Sequence, residues 1–240
     1  MEKITLKRLK FLWKQILKGN FKNVLRYKLW LIGYQETLPS FVIRSIPIIE
    51  SNESLVTISK NPRVICEAPN PFVRQGVEKM LHLAASNLPK GLSLKILYAF
   101  RDQKTQKIFW EEVVKETRLK NPIASEEEVL RIASSLSAKP GGIGPHQTGG
   151  AVDVTIVDEF GNDLLMGTDY RDHNNLQKVP MFSKQCNSFE KKNRKILRDA
   201  MLGAGFYFYP GEWWHYSYGD QAWAAYVGNE NAIYGEVNLS

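Results

Sequence analysis

The chain of 240 residues carries a formal net charge of +7, and 43% of its residues are hydrophobic. These values argue against intrinsic disorder and suit one large domain, or one domain with an extension. The two cysteines, Cys66 and Cys186, are too few for a disulfide framework. They fit a reducing compartment, or a periplasmic protein that makes no use of them, and we expect two free thiols.

The positive charge is concentrated near the N-terminus. Residues 1–32 contain nine basic residues and one acidic residue, a net charge of +8, so the other 208 residues together carry −1. Because the excess charge is confined to one segment, we expect no nucleic-acid partner. Residues 4–18 predict an amphipathic helix, with lysines on one face and leucines, Trp13 and Ile16 on the other.

This helix belongs to an N-terminal extension, which we place at residues 1–37, ahead of the main domain at residues 38–240. A basic amphipathic helix can lie on an anionic membrane surface, or pack on the domain with its lysines in water. Packing on the domain is the favoured interpretation, and contact of residues 1–32 with an anionic membrane surface stays open. Lysines interrupt every apolar run of the segment, so no secretory signal is predicted and we expect a cytoplasmic protein.

Downstream of the extension, the chain alternates between helical and extended patterns. Residues 38–72 are predicted to be extended, because prolines interrupt their short apolar runs. Helical periodicity and a capping signal at Ser125 predict helices over residues 73–88, 103–118, 125–138 and 189–204. Alternation predicts strands over residues 92–100, 151–157, 206–209, 213–218 and 222–227, the last three as a terminal meander. The mixture of helices and antiparallel hairpins predicts the α+β class.

Two short runs of sequence carry the residue types of a hydrolytic metal site. His146 and Asp153 lie in a glycine-rich loop and on the strand after it, and Glu212 and His215 flank two tryptophans. Catalytic zinc takes three protein ligands and leaves a fourth position for water. In this set His146, Asp153 and His215 would be the ligands, and Glu212 would accept a proton from the water. The alternative is that both histidines are ordinary loop and strand residues.

Strand geometry sets two conditions on this interpretation. Asp153 lies on the strand face opposite the apolar residues that would pack in the core, so its side chain is expected to point toward the site. Residues three apart on a strand point to opposite faces, so Glu212 must lie ahead of the strand that holds His215. The sequence places no acidic partner near His82, which we interpret as a structural residue of a helix.

Four stretches carry a family resemblance. The run from Gly144 to Asp153 matches the motif Ser-x-His-x-x-Gly-x-Ala-x-Asp except at its first position, and Glu212 to His215 matches Glu-Trp-Trp-His. Phe100-Arg101-Asp102 is similar to a Tyr-Arg-Pro run, and Met166-Gly167-Thr168 is similar to a fourth segment. Together they resemble the VanX-type zinc D-alanyl-D-alanine dipeptidase family, within the wider group of zinc D,D-peptidases with a Hedgehog-like fold. The resemblance covers roughly residues 60–230.

The resemblance implies an α+β fold with a central antiparallel sheet flanked by helices. It implies one zinc ion per chain, held by His146, Asp153 and His215, with Glu212 as general base. It also implies that Arg101 is the cation that stabilises the tetrahedral oxyanion. A guanidinium stays charged and can donate two hydrogen bonds to such a group. Otherwise Arg101 would be a surface or ion-paired arginine.

Substrate recognition is where the chain departs from the family. Gly144 replaces the family serine, which contacts the dipeptide. The family also has an acid after Met-Gly-Ser/Thr that binds the free amino group of the substrate, and Asp169 or Asp172 is expected to take that part. Trp214 is expected to wall and position the site. The resemblance implies a small peptide substrate, the D-Ala-D-Ala dipeptide. Alternatives are a D,D- or L,D-carboxypeptidase or endopeptidase acting on peptidoglycan stem peptides, and a non-catalytic zinc-binding module.

Overall fold

The computed structural model describes Trp13 and residues 37–38, 40–137, 139–172 and 175–237. The predicted helix over residues 4–18 lies outside this part of the chain, apart from Trp13, which is helical and exposed. The same holds for both interpretations of that segment, packing on the domain and contact with an anionic membrane surface. Within the described ranges, no helix has the length and apolar character needed to span a bilayer.

The described part of the chain contains the elements of an α+β protein. The helices are α1 (Ser40–Arg44), α2 (Gln75–Asn87), α3 (Gln103–Lys120), α4 (Glu126–Leu136), a 3-10 helix (Pro145–Thr148), α5 (Ser188–Gly203) and α6 (Gln221–Val227). The strands are β1 (Leu55–Thr57), β2 (Val64–Cys66), β3 (Phe72–Arg74), β4 (Ser93–Tyr98), β5 (Ala151–Val157), β6 (Tyr207–Phe208) and β7 (His215–Ser217). The predicted α+β class is confirmed.

A five-stranded sheet in the order β2-β4-β5-β7-β6 forms the centre of the molecule. The neighbours from β4 to β6 are antiparallel, and β2 runs parallel to β4 at one edge. Strands β1 and β3 form a separate antiparallel pair. Every residue of β5 is buried, as expected for a strand with a neighbour on both sides and side chains packed on both faces.

Helices α2 and α5 bury their apolar faces against the sheet. Their residues share one core cluster with side chains of β4 and β5, including Leu81, Leu197, Leu94, Val154 and Ile156. Burying one such side chain contributes about 1.5–3 kcal/mol. Helices α3 and α4 form a second cluster through Trp110, Val113 and Ala133. Strands β5 and β7 of this packed sheet carry residues of the candidate site.

Local signals explain where several helices begin. The Asp102 side chain accepts a hydrogen bond from the Thr105 amide at 2.6 Å at the start of α3. Asn187 and Glu190 form a reciprocal capping box at the start of α5. Ser125 caps α4 as the sequence predicted, through a hydrogen bond from the Glu128 amide.

The predicted strand over residues 222–227 is wrong, because this segment is helix α6. Asp220 caps the helix by accepting a hydrogen bond from the Trp223 amide at 2.7 Å. Gly228 ends it with φ +78, a conformation that glycine adopts without strain. The alternation of alanines with larger residues imitates a strand pattern, but alanine is the strongest helix former and the cap starts the helix.

Three smaller expectations also need correction. Residues 38–72 are only partly extended, since Ser40–Arg44 is helical. The helix predicted from residue 73 begins at Gln75, because Phe72–Arg74 pairs with β1 as a strand. His82 does have an acidic partner: its Nε2 lies 2.8 Å from Glu78, one helical turn away. The predicted free state of both cysteines is confirmed.

Candidate metal centre and active site

The structure brings the three predicted metal ligands together. His146 lies in the 3-10 helix, Asp153 on β5 and His215 on β7, where Asp153 and His215 are register partners. One ligand atom from each lies within 4.8 Å of the others, and all three residues are buried. Asp153 Oδ1 is 3.4 Å from His146 Nε2 and 3.0 Å from His215 Nδ1. Two imidazole nitrogens and a carboxylate oxygen converging in this way are a donor set that a metal such as zinc prefers.

The orientation of His146 is fixed by the backbone of the preceding strand. Its Nδ1 lies 2.7 Å from the Ala99 carbonyl oxygen, which can only accept, so Nδ1 carries the proton and donates. Nε2 is left with a lone pair facing Asp153 and His215. The Arg101 amide in turn donates to the His146 carbonyl at 3.2 Å. Such outer contacts set the tautomer of a ligating histidine and its direction.

Two glycines let the chain turn from His146 into β5. Gly149 has φ +70, and a Cβ there would lie 2.4 Å from the Leu55 side chain. A Cβ on Gly150 would lie 2.4 Å from the Tyr218 carbonyl oxygen. The positive φ of Gly149, a fixed position of the motif, and the close approach of backbone at Gly150 both favour glycine. By contrast, a Cβ on Gly144 meets only the end of a flexible side chain at 3.4 Å.

Arg74 stabilises the same turn through hydrogen bonds to backbone carbonyls. The buried guanidinium donates to the Thr148 carbonyl at 2.8 Å, to the Glu53 carbonyl at 2.5 Å and to the Gly235 carbonyl at 3.2 Å. It therefore ties the end of the 3-10 helix to two other segments of the chain. Buried carbonyls without such a donor would each cost about 1–3 kcal/mol.

Burial and neighbouring charges shift the pKa values of all three residues of the cluster, and they keep His146 neutral. Burial lowers the pKa of His146 to about 4, so its imidazole is neutral at physiological pH. Burial also disfavours the charged form of Asp153, but the two histidines outweigh it and hold the pKa of the carboxyl well below its ordinary range. Burial opposes charge on His215 too, yet its hydrogen bond to Asp153 and the charge of that carboxylate raise the pKa of His215.

Glu212 meets the geometric condition set by the sequence. It lies in a turn before β7, and its carbonyl accepts a 3.4 Å hydrogen bond from the His215 amide. Burial raises the pKa of Glu212, while the charge of His215, the charge of Arg171 and a hydrogen bond from Trp214 act in the opposite direction. A carboxylate held beside the metal ligands, with a raised pKa, is suited to accept and return a proton.

The two tryptophans of the run are walls of the site. Trp213 is buried, and its indole N–H donates to the Thr168 hydroxyl at 2.9 Å. Trp214 is 4% exposed and packs edge-on against Tyr170, with ring centroids 5.5 Å apart. Because it is so deeply buried, Trp214 leaves little surface for a substrate.

Arg101 is a buried arginine next to the cluster. It is 6% exposed, and its Nη1 donates to Gln106 Oε1 at 2.8 Å. Its guanidinium lies over the rings of Tyr98 and Phe109, 4.6 and 4.8 Å from their centroids. Its positive charge is one of the influences that lower the pKa of His146. Arg101 is therefore not a surface residue, and its charge lies within electrostatic range of His146.

Sequence reasoning missed two neighbouring residues of the site. The Tyr170 hydroxyl donates to Asp153 Oδ2 at 2.7 Å, and burial raises the pKa of this phenol so that it stays protonated. Arg171 places its guanidinium over the rings of Tyr98, Phe109 and Tyr170. The sequence does carry a signal for them, because Tyr170 and Arg171 follow the family segment Met166-Gly167-Thr168 after one intervening residue.

The two aspartates expected to bind the substrate amine lie on either side of Tyr170 and Arg171 in the sequence. Asp169 is exposed. Asp172 accepts a hydrogen bond from the Asn175 side chain at 2.6 Å. Between them, Arg171 adopts the left-handed conformation with φ +57. The side chain that this segment places over the Tyr98 and Phe109 rings is the Arg171 cation, and the amine-binding role expected for Asp169 or Asp172 stays a prediction.

Comparison with known proteins agrees with the geometry. A family model described as D-ala-D-ala dipeptidase, of the peptidase M15 group, matches residues 73–233. A D-alanyl-D-alanine dipeptidase of Synechocystis is 30% identical over 179 residues, covering 65% of this chain and 72% of that protein. A D-alanyl-D-alanine dipeptidase of Escherichia coli is 29% identical over 126 residues, covering 52% of this chain and 55% of that protein.

Two solved structures are also similar. One is a mutant of the vancomycin resistance D,D-pentapeptidase VanY from a VanB-type cassette in complex with Zn(II). It has a TM-score of 0.45 and 17% identity, and covers 72% of this chain and 82% of that chain. The other is VanYB in complex with D-alanine-D-alanine. It has a TM-score of 0.46 and 17% identity, and the match covers 78% of this chain and 94% of that chain. From the match over residues 73–233 and the assembled His-Asp-His cluster, this chain belongs to the D-Ala-D-Ala dipeptidase family of metal-dependent peptidases.

Proposed function

We propose that this peptidase hydrolyses the D-alanyl-D-alanine dipeptide and uses one zinc ion per chain, held by His146, Asp153 and His215. The observation that carries the proposal is the convergence of these three buried residues, with Glu212 in the turn just before β7. The family match supports the same substrate, as do the relatives named D-alanyl-D-alanine dipeptidase.

Each residue of the site has a role in this reaction. A zinc ion held by these residues would supply a Lewis acid that lowers the pKa of water to about 7 and polarises a carbonyl. Glu212 accepts the proton of the attacking water and passes it to the nitrogen of the leaving D-alanine. Arg101 donates to the carbonyl oxygen as negative charge develops on it. The Tyr170 hydroxyl holds one oxygen of Asp153, which leaves the other oxygen directed at the two histidines.

Two measurements test the proposal. The zinc content of the purified chain should be one per protein, and D-Ala-D-Ala should be hydrolysed while L-Ala-L-Ala is not. Glu212→Gln should retain zinc and lose activity by about 100-fold or more, as expected when a general base is removed. Glu159→Gln, at an exposed turn, is the matched control and should keep full activity. Equal turnover of both stereoisomers, or full activity of Glu212→Gln, would refute the proposal.

A carboxypeptidase or endopeptidase acting on peptidoglycan stem peptides is the second candidate. It is favoured by the placement of Arg171, because a dipeptidase is expected to hold the free amine of its substrate with an acid. Turnover of tetra- and pentapeptides with no turnover of the dipeptide would decide for this candidate. Retention of the biological effect by Glu212→Gln would instead favour a non-catalytic zinc-binding module.

The cellular setting is a separate proposal. As the alternative to packing on the domain, we propose that residues 1–32, with their charge of +8, contact an anionic membrane surface. A cytoplasmic location, with residues 1–37 as an extension of the domain at 38–240, is tested by cell fractionation and limited proteolysis. Sedimentation with anionic vesicles should be reduced for a chain that begins near residue 43. Equal sedimentation of the two chains would contradict the membrane contact.

A further inference from the structure

Two guanidinium groups next to the His-Asp-His cluster contact the same two aromatic rings. Arg101 lies 4.6 Å from the centroid of the Tyr98 ring and 4.8 Å from that of Phe109. Arg171 lies 4.6 Å from the same Tyr98 centroid and 4.4 Å from the same Phe109 centroid. Cation–π contacts with the rings stabilise each group, but two positive charges that share the same two rings repel each other. An anion bound between or beside them would relieve this repulsion.

Both groups also have unused donors. Arg101 Nε and Arg171 Nη2 are buried and have no hydrogen-bond partner within the described residues. Neither arginine forms an ion pair with a carboxylate in the described part of the chain. A buried donor without a partner lowers the stability of the protein, and an acceptor atom of a bound ligand would remove that penalty. The acceptors that guanidinium prefers are carboxylate and phosphate oxygens.

The segment that carries Arg171 is built into the site. The Tyr170 hydroxyl donates to the metal-site residue Asp153 at 2.7 Å, and Trp213 donates to Thr168 at 2.9 Å. Arg171 itself adopts the left-handed conformation, which a non-glycine residue keeps only when its surroundings hold it there. The guanidinium is thus fixed within electrostatic range of Glu212, where a bound peptide would lie.

We propose that Arg171 binds a carboxylate of the peptide substrate. This inference rests on the proposed function, in which Arg101 serves the oxyanion, so that the second cation needs a second negative group. The carboxylate could be the C-terminal one of the peptide, or one carried on the N-terminal side of the scissile bond. A free ammonium group placed next to Arg171 is disfavoured by like-charge repulsion. The preferred substrate is therefore a peptide that presents a carboxylate, and not an ammonium group, to Arg171.

Four peptides separate the two sources of carboxylate. They are D-Ala-D-Ala, its C-terminal amide, N-acetyl-D-Ala-D-Ala and N-succinyl-D-Ala-D-Ala. Arg171→Gln removes the charge, Arg171→Lys keeps it, and Arg131→Gln is the control, because the Arg131 side chain is 73% exposed on α4. Hydrolysis is measured as kcat and KM for each protein with each peptide, with zinc added.

Loss of a charge-assisted hydrogen bond should raise KM about 10- to 100-fold for peptides with the recognised carboxylate. If the carboxylate is C-terminal, Arg171→Gln weakens the three acids and leaves the amide unchanged. If it lies on the N-terminal side, only the succinyl peptide is weakened. Arg171→Lys should keep most of the selectivity in either case. An equal loss for all four peptides, or no loss for any, would overturn the inference.

A binding experiment keeps the inference separate from the proposed function. The same four peptides are titrated into Glu212→Gln, with and without Arg171→Gln, so that affinity is measured without turnover. If the wild-type chain hydrolyses none of the peptides, the proposed function fails. Carboxylate-dependent affinity that disappears with Arg171→Gln would still support the inference. Equal affinity of the two proteins for every peptide would reject it.

Discussion

Arg194 offers the sharpest test of what holds the active-site segment in place. It is 2% exposed in helix α5, and it donates short hydrogen bonds to three backbone carbonyls, those of Met166 and Pro180 at 2.6 Å each and that of Lys178 at 2.7 Å, with a longer one to the Met181 carbonyl at 3.4 Å. These carbonyls bracket the chain from residue 166 to residue 180, which includes the described residues Tyr170 and Arg171. Replacing Arg194 with Met keeps much of the side-chain volume and removes all of these donors.

The expected loss follows from the three carbonyls. Each buried acceptor that loses its partner costs about 1–3 kcal/mol. Two effects offset part of this sum. Water can hydrogen-bond to some of the carbonyls in the variant. Burial of the charged guanidinium is itself unfavourable, as the lowered pKa of Arg194 indicates, and the variant no longer buries that charge. We therefore expect Arg194→Met to lower the free energy of unfolding by about 3–5 kcal/mol.

Urea unfolding followed by tryptophan fluorescence measures this difference. Arg198→Met, one turn further along α5, is the matched control, since its side chain is 21% exposed and pairs with Asp199 at 3.4 Å. The control should lose less than about 1 kcal/mol, as is usual for surface ion pairs. An Arg194→Met protein within 1 kcal/mol of the wild type, at an unchanged urea dependence, would refute the role given to this residue.

Two further predictions concern the metal site. Gly150→Ala should lose about 1–3 kcal/mol of stability, because its Cβ would lie 2.4 Å from the Tyr218 carbonyl, whereas Gly144→Ala should stay within about 1 kcal/mol of the wild type in the same unfolding assay. Equal stabilities of the two variants would contradict this reasoning. Zinc binds neutral imidazole, so its affinity should rise with pH as His215, whose pKa is raised, loses its proton. His146, with a pKa of about 4, is already neutral, so between pH 5 and 7 chelator competition should detect one displaced proton, and two would contradict the account.

The metal ligands could be predicted from sequence because their spacing reflects local geometry. His146 and Asp153 are separated by a turn that needs two adjacent glycines, and Glu212 precedes a short strand that begins at His215. These constraints act over ten residues or fewer, so they leave a readable pattern. The pairing of Asp153 with His215 across two strands joins distant segments, and only the structure shows it.

The parts that could not be predicted depend on contacts between distant segments. Arg171 is directed into the site by a left-handed backbone and by rings from β4 and α3, none of which is apparent from its neighbours in sequence. Helix α6 was interpreted as a strand because its apolar residues alternate, while the deciding cap, Asp220, lies outside the alternating run. The pairing of His82 with Glu78 can be predicted from the sequence, since residues four apart on a helix are neighbours on its surface.

The central claim is that a single zinc ion on the His-Asp-His cluster drives hydrolysis of D-Ala-D-Ala. The most direct test is to remove metal with a chelator, return zinc in steps, and measure D-Ala-D-Ala hydrolysis at each step. We expect activity to be absent without metal and to rise until one zinc per chain has been added, and Asp153→Asn to regain little of it. Undiminished activity in the stripped protein, or full recovery by Asp153→Asn, would contradict the account.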